Sequence, residues 1–251
     1  MTITNTTAHL KKTGKATGSF YFKQFKVEDG RSTMKVGTDA VLVGAVTEVE
    51  SVANILEIGT GCGVIALMLA QRSQAMIDAI EIDEESVIQA KENAGNCPWK
   101  DRITIIHSSL QDFVTQNDKR YDLVVSNPPY FSNSLKSSDM KRNIARHNDT
   151  LSFEDLLDCS SQIMMPGASL WVILPIKEFK AFIEIAAHKG FFNHYKMMIK
   201  SREGKEYHRI ILQLKTIPAE YIREQSLAIK TAGHSFAKAY RELTREFYID
   251  I

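Results

Sequence analysis

Two short stretches carry the residue types that could do chemistry. Residues 126–131 read SNPPYF and follow the apolar run YDLVV. Consecutive prolines cannot extend a strand ladder, and the residue before each is driven away from helical geometry. The segment is therefore expected to be a stiff elbow at a strand end, presenting the Asn127 amide, the Pro128 carbonyl, the Pro129 ring and the Tyr130 ring. An amino group conjugated to a planar base or amide is a poor nucleophile because its lone pair is delocalised. Asn127 Oδ1 and the Pro128 carbonyl could each accept one of its N–H bonds, drawing the nitrogen toward tetrahedral geometry and aiming its lone pair. Tyr130 could stack on the ring that carries it. Chemistry of this kind needs position and electrostatics rather than a strong base.

The second stretch is LEIGTGCGV, with glycines at 59, 61 and 63. Glycines at this spacing let a backbone turn tightly and approach a ligand closely at the switch point of an α/β sheet. Position 64 is Val, where a dinucleotide fingerprint would want a small residue. Glu57, just before the loop, is hostile to a pyrophosphate and favourable to a cation, which fits the sulfonium and ammonium of S-adenosyl-L-methionine. Glu81 follows Gly61 by twenty residues at the end of the next apolar run, a position suited to ribose hydroxyls. Together these features look like the cofactor site of a class I methyltransferase.

The elements needed to position both stretches are legible. From residue 52 to about 190, short β-rich runs alternate with amphipathic segments of helical period. That alternation predicts parallel βαβ units: an α/β, doubly wound, mostly parallel Rossmann-like sheet with a short N-terminal extension. FYFKQFKVE predicts one strand, with DGR turning into a second; DAVLVGAVTEV predicts a helix. YKMMIKS and HRIILQLK predict the last strands, and FAKAYRELTREFYID a terminal helix. Residues 1–19 predict a flexible polar arm, and residues 20–251 a single domain.

Composition bounds the rest. At 251 residues, 44% apolar and 24% charged, the chain has the make-up of a globular protein. Its apolar runs are too short for a membrane span, and no secretory leader is expected. The three cysteines form no CxxC pair, so no metal is expected and a reducing cytoplasm fits. Charge is uneven. Residues 1–40 hold seven Lys/Arg against three acids, a net +4, whereas residues 48–85 hold eight acids against Arg72 alone, a net −7. Residues 136–147 and 196–209 each carry a net +3. An acidic middle flanked by basic segments suggests a cationic small ligand with a polyanion nearby. The residues alone do not choose among adenine, cytosine and glutamine amino groups.

Beyond these readings, FYFKQF, MKVGTDAVLVGA, LEIGTGCGVIALMLAQR, SNPPYF, RNIARH and AYRELTREFYI resemble, in order and spacing, the family of adenine-N6 methyltransferases acting on valine tRNA. The resemblance spans roughly residues 20 to 250 and implies transfer to the adenine beside the anticodon. It implies that Lys35, Val36, Gly37 and Thr38 form a lid over the methionine end of the cofactor. Glu57, Gly59, Gly61 and Gly63 would make the loop beneath, and Glu81 would hold the ribose. Asn127, Pro128, Pro129 and Tyr130 would bind the target. Where such enzymes often carry an acid near the cofactor adenine, this chain has Ser109, with Asp112 one turn on. Arg142, Arg146 and His147 would contact RNA phosphates. Glutamine-N5 methylation of a protein is the alternative, and a non-catalytic RNA-binding module on the same fold is another. The residues imply no oligomeric state.

Overall fold

The computed structural model describes residues 18–129 and 151–250. The domain is built on an eight-stranded sheet. Its strands are β3 (Asn54–Ile58), β4 (Met76–Glu81), β5 (Ile103–His107), β6 (Tyr121–Ser126), β7 (Met164–Pro175), β8 (Phe192–Arg202), β9 (Tyr207–Lys215) and β10 (Arg223–Lys230). The order across the sheet is β10-β8-β9-β7-β6-β3-β4-β5. Only β9 runs against its neighbours, pairing antiparallel with both β7 and β8. The expected doubly wound, mostly parallel sheet is present, and the strand order reverses on either side of β3, where β6 and β4 flank it.

Helices cover both faces. α1 (Thr38–Val46), α2 (Val64–Arg72), α3 (Glu84–Gly95) and α7 (Lys238–Thr244) contribute to one apolar layer; α4 (Leu110–Gln116), α5 (Phe153–Ile163) and α6 (Phe179–His188) contribute to the other. Alternation along β3 sends Ile55 into the first layer and Leu56 and Ile58 into the second. Glu57 therefore falls on the same face as Ile55, beneath α2. The helix starts follow local chemistry. Asp83, Ser109 and Ser152 cap α3, α4 and α5 by accepting from the amides of Ser86, Asp112 and Asp155. Glu84 and Glu85 in the first turn of α3 also suit its dipole.

Three expectations are corrected. FYFKQFKVE is not one strand with a second after DGR: β1 (Ser19–Tyr21) and β2 (Lys26–Glu28) form an antiparallel hairpin that turns at residues 22–25, and the next element after DGR is α1. The turn is dictated by packing, because Phe22 and Phe25 stack on each other and are both buried. The terminal helix stops at Thr244, after which Tyr248 bridges to Phe22 and the Phe247 carbonyl accepts from the Lys23 amide. The chain end thus fastens the N-terminal hairpin. Finally, β10 carries no readable alternation: among its residues only Leu227 is buried. It is a strand because β8 supplies a parallel ladder from Tyr195 to Arg202.

The segment between β2 and α1 is held by a polar seam on α3. Asn93 Nδ2 donates to the carbonyls of Glu28 (2.7 Å) and Cys62 (2.8 Å), while its Oδ1 accepts from the Glu28 amide. Gln89 Oε1 accepts from the Arg31 amide, and Ser86 Oγ accepts from the Thr33 amide. Ser86, Gln89 and Asn93 recur at helical spacing and are all buried, so one face of α3 is a row of hydrogen-bonding groups. That row positions residues 28–34 over the glycine loop.

Candidate functional site

The site lies at the carboxyl ends of β3, β4 and β6, where ligands of open α/β sheets bind. Gly59, Gly61 and Gly63 all have positive φ (71°, 57° and 86°), the region that favours glycine. They fold the β3–α2 connection into a tight loop. A Cβ at Gly63 would sit 3.5 Å from Ala90 of α3, so that glycine serves helix packing. A Cβ at Gly59 would meet no protein atom within 4 Å. At Gly61 a Cβ would sit 3.4 Å from Met34 of the overlying segment.

Two contiguous cavities share Met34, Gly59 and Asn127. One, of about 540 Å³, is lined among others by Glu81, Ile82, Asp83, Ser109, Asp112, Pro128 and Pro129. The other, of about 690 Å³, reaches from Lys35, Gly37, Thr38 and Gly61 across to the β8–β9 turn and the end of β10. Both volumes are in the range of small-molecule sites.

Glu81 is oriented by the backbone. Its Oε2 accepts from the Gly61 amide (2.8 Å), and its Oε1 accepts from the amides of Ile82 and Asp83 (2.9 Å each). A ribose edge would share this carboxylate with those amides, and Oε2 keeps the freer acceptor site. Ile82, about half exposed, offers an apolar ledge beside it. Ser109 and Asp112 act as a pair: Ser109 Oγ donates to Asp112 Oδ2 at 2.7 Å. An acid therefore does reach this wall, one turn from the expected position.

Glu57 differs from its expected role. It is fully buried and does not line either cavity. Its Oε2 accepts from Thr60 Oγ1 (2.6 Å) and from the Ala66 amide (2.9 Å), tying the loop to the first turn of α2. Burial on an apolar face pushes its carboxyl up to about 8, against the pull of those two hydrogen bonds. Its other oxygen, Oε1, is buried without a hydrogen-bond partner. Glu57 therefore shapes the loop rather than contacting a ligand.

In the segment before α1, Lys35 Nζ donates to the carbonyls of Asp29 and Gly30, and the Val36 amide donates to Asp29 Oδ2. Val36 packs on the apolar core instead of lining a cavity. Gly37 is the N-cap of α1. Asn127 and Pro128 stand where β6 ends, and Ser126 Oγ donates to the Ile58 carbonyl at 3.0 Å, fixing that strand end against β3. Tyr130, Arg142, Arg146 and His147 lie outside the described residues. Sequence reasoning missed Met34, Asp83, Arg202, Lys205, His208, Lys230 and His234 as lining residues. Two local signals pointed to some of them: the Asp-Glu-Glu-Ser start of a helix at Asp83, and the net +3 of residues 196–209 that holds Arg202 and Lys205.

A family described as "Methyltransferase small domain" matches residues 31–173. The "tRNA1(Val) (adenine(37)-N6)-methyltransferase" of Bacteroides fragilis is 42% identical over 231 residues, covering 92% of this chain and 97% of that protein. The chain belongs to this methyltransferase family. Among solved structures, a predicted O-methyltransferase from Agrobacterium tumefaciens superposes with a TM-score of 0.65 at 20% identity, covering 83% of this chain and 96% of that one. A glycopeptide N-methyltransferase complexed with S-adenosylmethionine gives 0.54 at 13% identity, covering 74% and 96%. Both share the fold.

The cofactor of a methyltransferase of this fold is S-adenosylmethionine, and the residues present fit it. The open position at Gly59 lets the backbone approach a ligand, Glu81 is an oriented acceptor, and the cavity holding Glu81, Asp83 and Asp112 has no Lys or Arg in its described lining. Gly59→Ala is expected to weaken S-adenosylmethionine binding by about tenfold or more, because the methyl fills the space the ligand needs. The left-handed backbone should add about 1–2 kcal/mol of destabilisation. Calorimetric titration beside a thermal melt separates the two; a lowered Tm with unchanged affinity would mean that Gly59 matters for the turn alone.

Proposed function

We propose that this chain transfers a methyl group from S-adenosylmethionine to the exocyclic N6 of the adenine beside the anticodon of valine tRNA. The observation that carries the reading is the position of Asn127, at the end of β6 and on the seam between the two cavities, in a chain about 40% identical to enzymes named for that reaction. When bound, the cofactor supplies an electrophilic methyl on a sulfonium. Every other requirement falls on the protein. Asn127 Oδ1 accepts one N–H of the target amino group and the Pro128 carbonyl accepts the other. This localises the nitrogen lone pair along the line of attack. The nitrogen becomes acidic as it is methylated, so no side-chain base is needed. Tyr130 stacks on the adenine, and Arg142, Arg146 and His147 contact flanking phosphates in this reading.

The lid residues Lys35, Gly37 and Thr38 cover the methionine end, Glu81 takes the ribose, and Ser109 with Asp112 takes the cofactor adenine. Among the described residues no helix is long and apolar enough to cross a membrane, and no cluster of His, Cys, Asp and Glu could hold a metal ion. A cytoplasmic location is in keeping with a tRNA substrate.

The reading is tested with purified protein, radiolabelled S-adenosylmethionine, and two acceptors: bulk tRNA from cells lacking the enzyme, and total soluble protein. Label in N6-methyladenosine after nuclease digestion is the expected result. Label confined to protein would replace this reading with side-chain amide methylation.

A further inference from the structure

The larger cavity has a wall that this reaction has not yet used. It is built where the β8–β9 turn meets the end of β10. Glu203 N donates to the Lys230 carbonyl (2.9 Å), and Glu203 Oε2 accepts from the Ala232 amide (3.1 Å). Arg202 donates to His234 Nε2, and the Lys205 amide donates to the Arg202 carbonyl (3.1 Å). The two segments are thus locked into one surface. The acid in the turn that takes part in this joint, Glu203, turns its carboxylate to backbone rather than to a neighbouring cation.

What the surface presents to the cavity is positive charge. Arg202, Lys205 and Lys230 line it, and among the described residues none of the three is in an ion pair. Lys230 lies over the Phe236 ring. The one carboxylate among the described lining residues, Asp39, accepts from Arg209 at 2.7 Å. Burial holds His208 below its ordinary range, so it adds little charge near neutrality. On the other side of Asn127 the sign reverses: Glu81, Asp83 and Asp112 line that cavity with no lysine or arginine among the described residues. The groove changes from acidic to basic at Asn127.

We propose that Arg202, Lys205 and Lys230 form a phosphate-binding wall that seats the RNA backbone next to the target adenine. The inference rests on the reading of Asn127 as the acceptor site for tRNA. A cofactor carboxylate would need one cation, which Lys35 on the lid can supply. Three further unpaired cations beyond Asn127 suit a polyanion. Backbone contacts of this kind set position and affinity, leaving the base to be read elsewhere.

The test uses the full chain and transcribed valine tRNA. The Lys205→Ala/Lys230→Ala double variant and the Lys205→Glu single variant are compared with wild type for tRNA Kd over a salt series, S-adenosylmethionine Kd, and label in N6-methyladenosine. Lys205 is exposed in a turn, so its substitution leaves the fold intact, which a thermal melt verifies. The expected result is a tRNA Kd raised about tenfold in both variants, with the salt slope of the double variant shallower by about two. The S-adenosylmethionine Kd should stay within about twofold. If tRNA Kd and slope are unchanged while wild type methylates tRNA, the wall is refuted and the enzymatic reading stands. A raised S-adenosylmethionine Kd with unchanged tRNA Kd would reassign the cations to the cofactor and refute it equally. If the tRNA shifts appear but wild type forms no N6-methyladenosine, the wall stands and the reaction assigned above fails.

Discussion

Asn127→Ala should lower methyl transfer to tRNA on the order of 10²- to 10³-fold, the range for loss of one preorganised hydrogen-bonding group at a reacting centre. The Pro128 carbonyl would remain, but one acceptor cannot hold both N–H groups of the amino nitrogen and localise its lone pair. The loss should appear in kcat, because the interaction strengthens as the nitrogen leaves planarity. S-adenosylmethionine affinity should stay within a few-fold, since the other lining residues of both cavities are untouched. Asn127→Asp is a useful companion: it keeps an acceptor at the same reach and should recover part of the rate. Single-turnover transfer and calorimetric titration decide the matter. An equal loss of transfer and cofactor affinity would place Asn127 in cofactor binding instead.

Glu57→Gln should remove a large part of the pH dependence of stability. The carboxyl, near 4.5 when unfolded, is raised to about 8 in the fold because it is buried on the apolar face beneath α2. The folded state therefore binds its proton more tightly than the unfolded state. Its contribution is fully favourable below about pH 4.5 and is lost as pH rises toward about 8, by an amount on the order of several kcal/mol. Glutamine is never charged. Both hydrogen bonds to Glu57 end on the same oxygen, Oε2, so the amide oxygen of glutamine can accept from Thr60 Oγ1 and the Ala66 amide alike. The stability of the variant relative to wild type should accordingly grow between about pH 5 and pH 9 in denaturant titrations. A difference that stays constant over that window would mean that Glu57 is charged throughout and stabilised by something other than these two donors.

Much of the architecture could be read from local pattern because each element announces itself within its own residues. The β3–α2, β4–α3 and β5–α4 units combine apolar runs with cap residues such as Asp83 and Ser109 at their junctions. The end of β6 at Ser126, just before Asn127, Pro128 and Pro129, was readable for a related reason, since proline restricts the backbone whatever surrounds it. The hairpin inside residues 19–28 and strand β10 were not. The first is imposed by Phe22 and Phe25 stacking in the core, and the second by a ladder offered by β8.

The site divides along the same line. Residue types at short spacing determined the glycine loop, Glu81 at the next strand end and the proline stop after β6, and with them the class of cofactor. Tertiary structure decided how those residues are used. Glu57 looked like a ligand-facing carboxylate at a strand end, yet the two-residue period of β3 turns it inward with Ile55 and makes it a clamp on the loop. Residues 28–34 sit over Gly61 because buried Ser86, Gln89 and Asn93 on α3 hydrogen-bond their backbone, a partnership between segments more than fifty residues apart. The basic wall joins Arg202, Lys205 and Lys230 only because β8 and β10 lie side by side. A side chain's type and its near neighbours are properties of the chain itself; which face it occupies and what faces it from afar depend on packing, and packing exists only in the folded molecule.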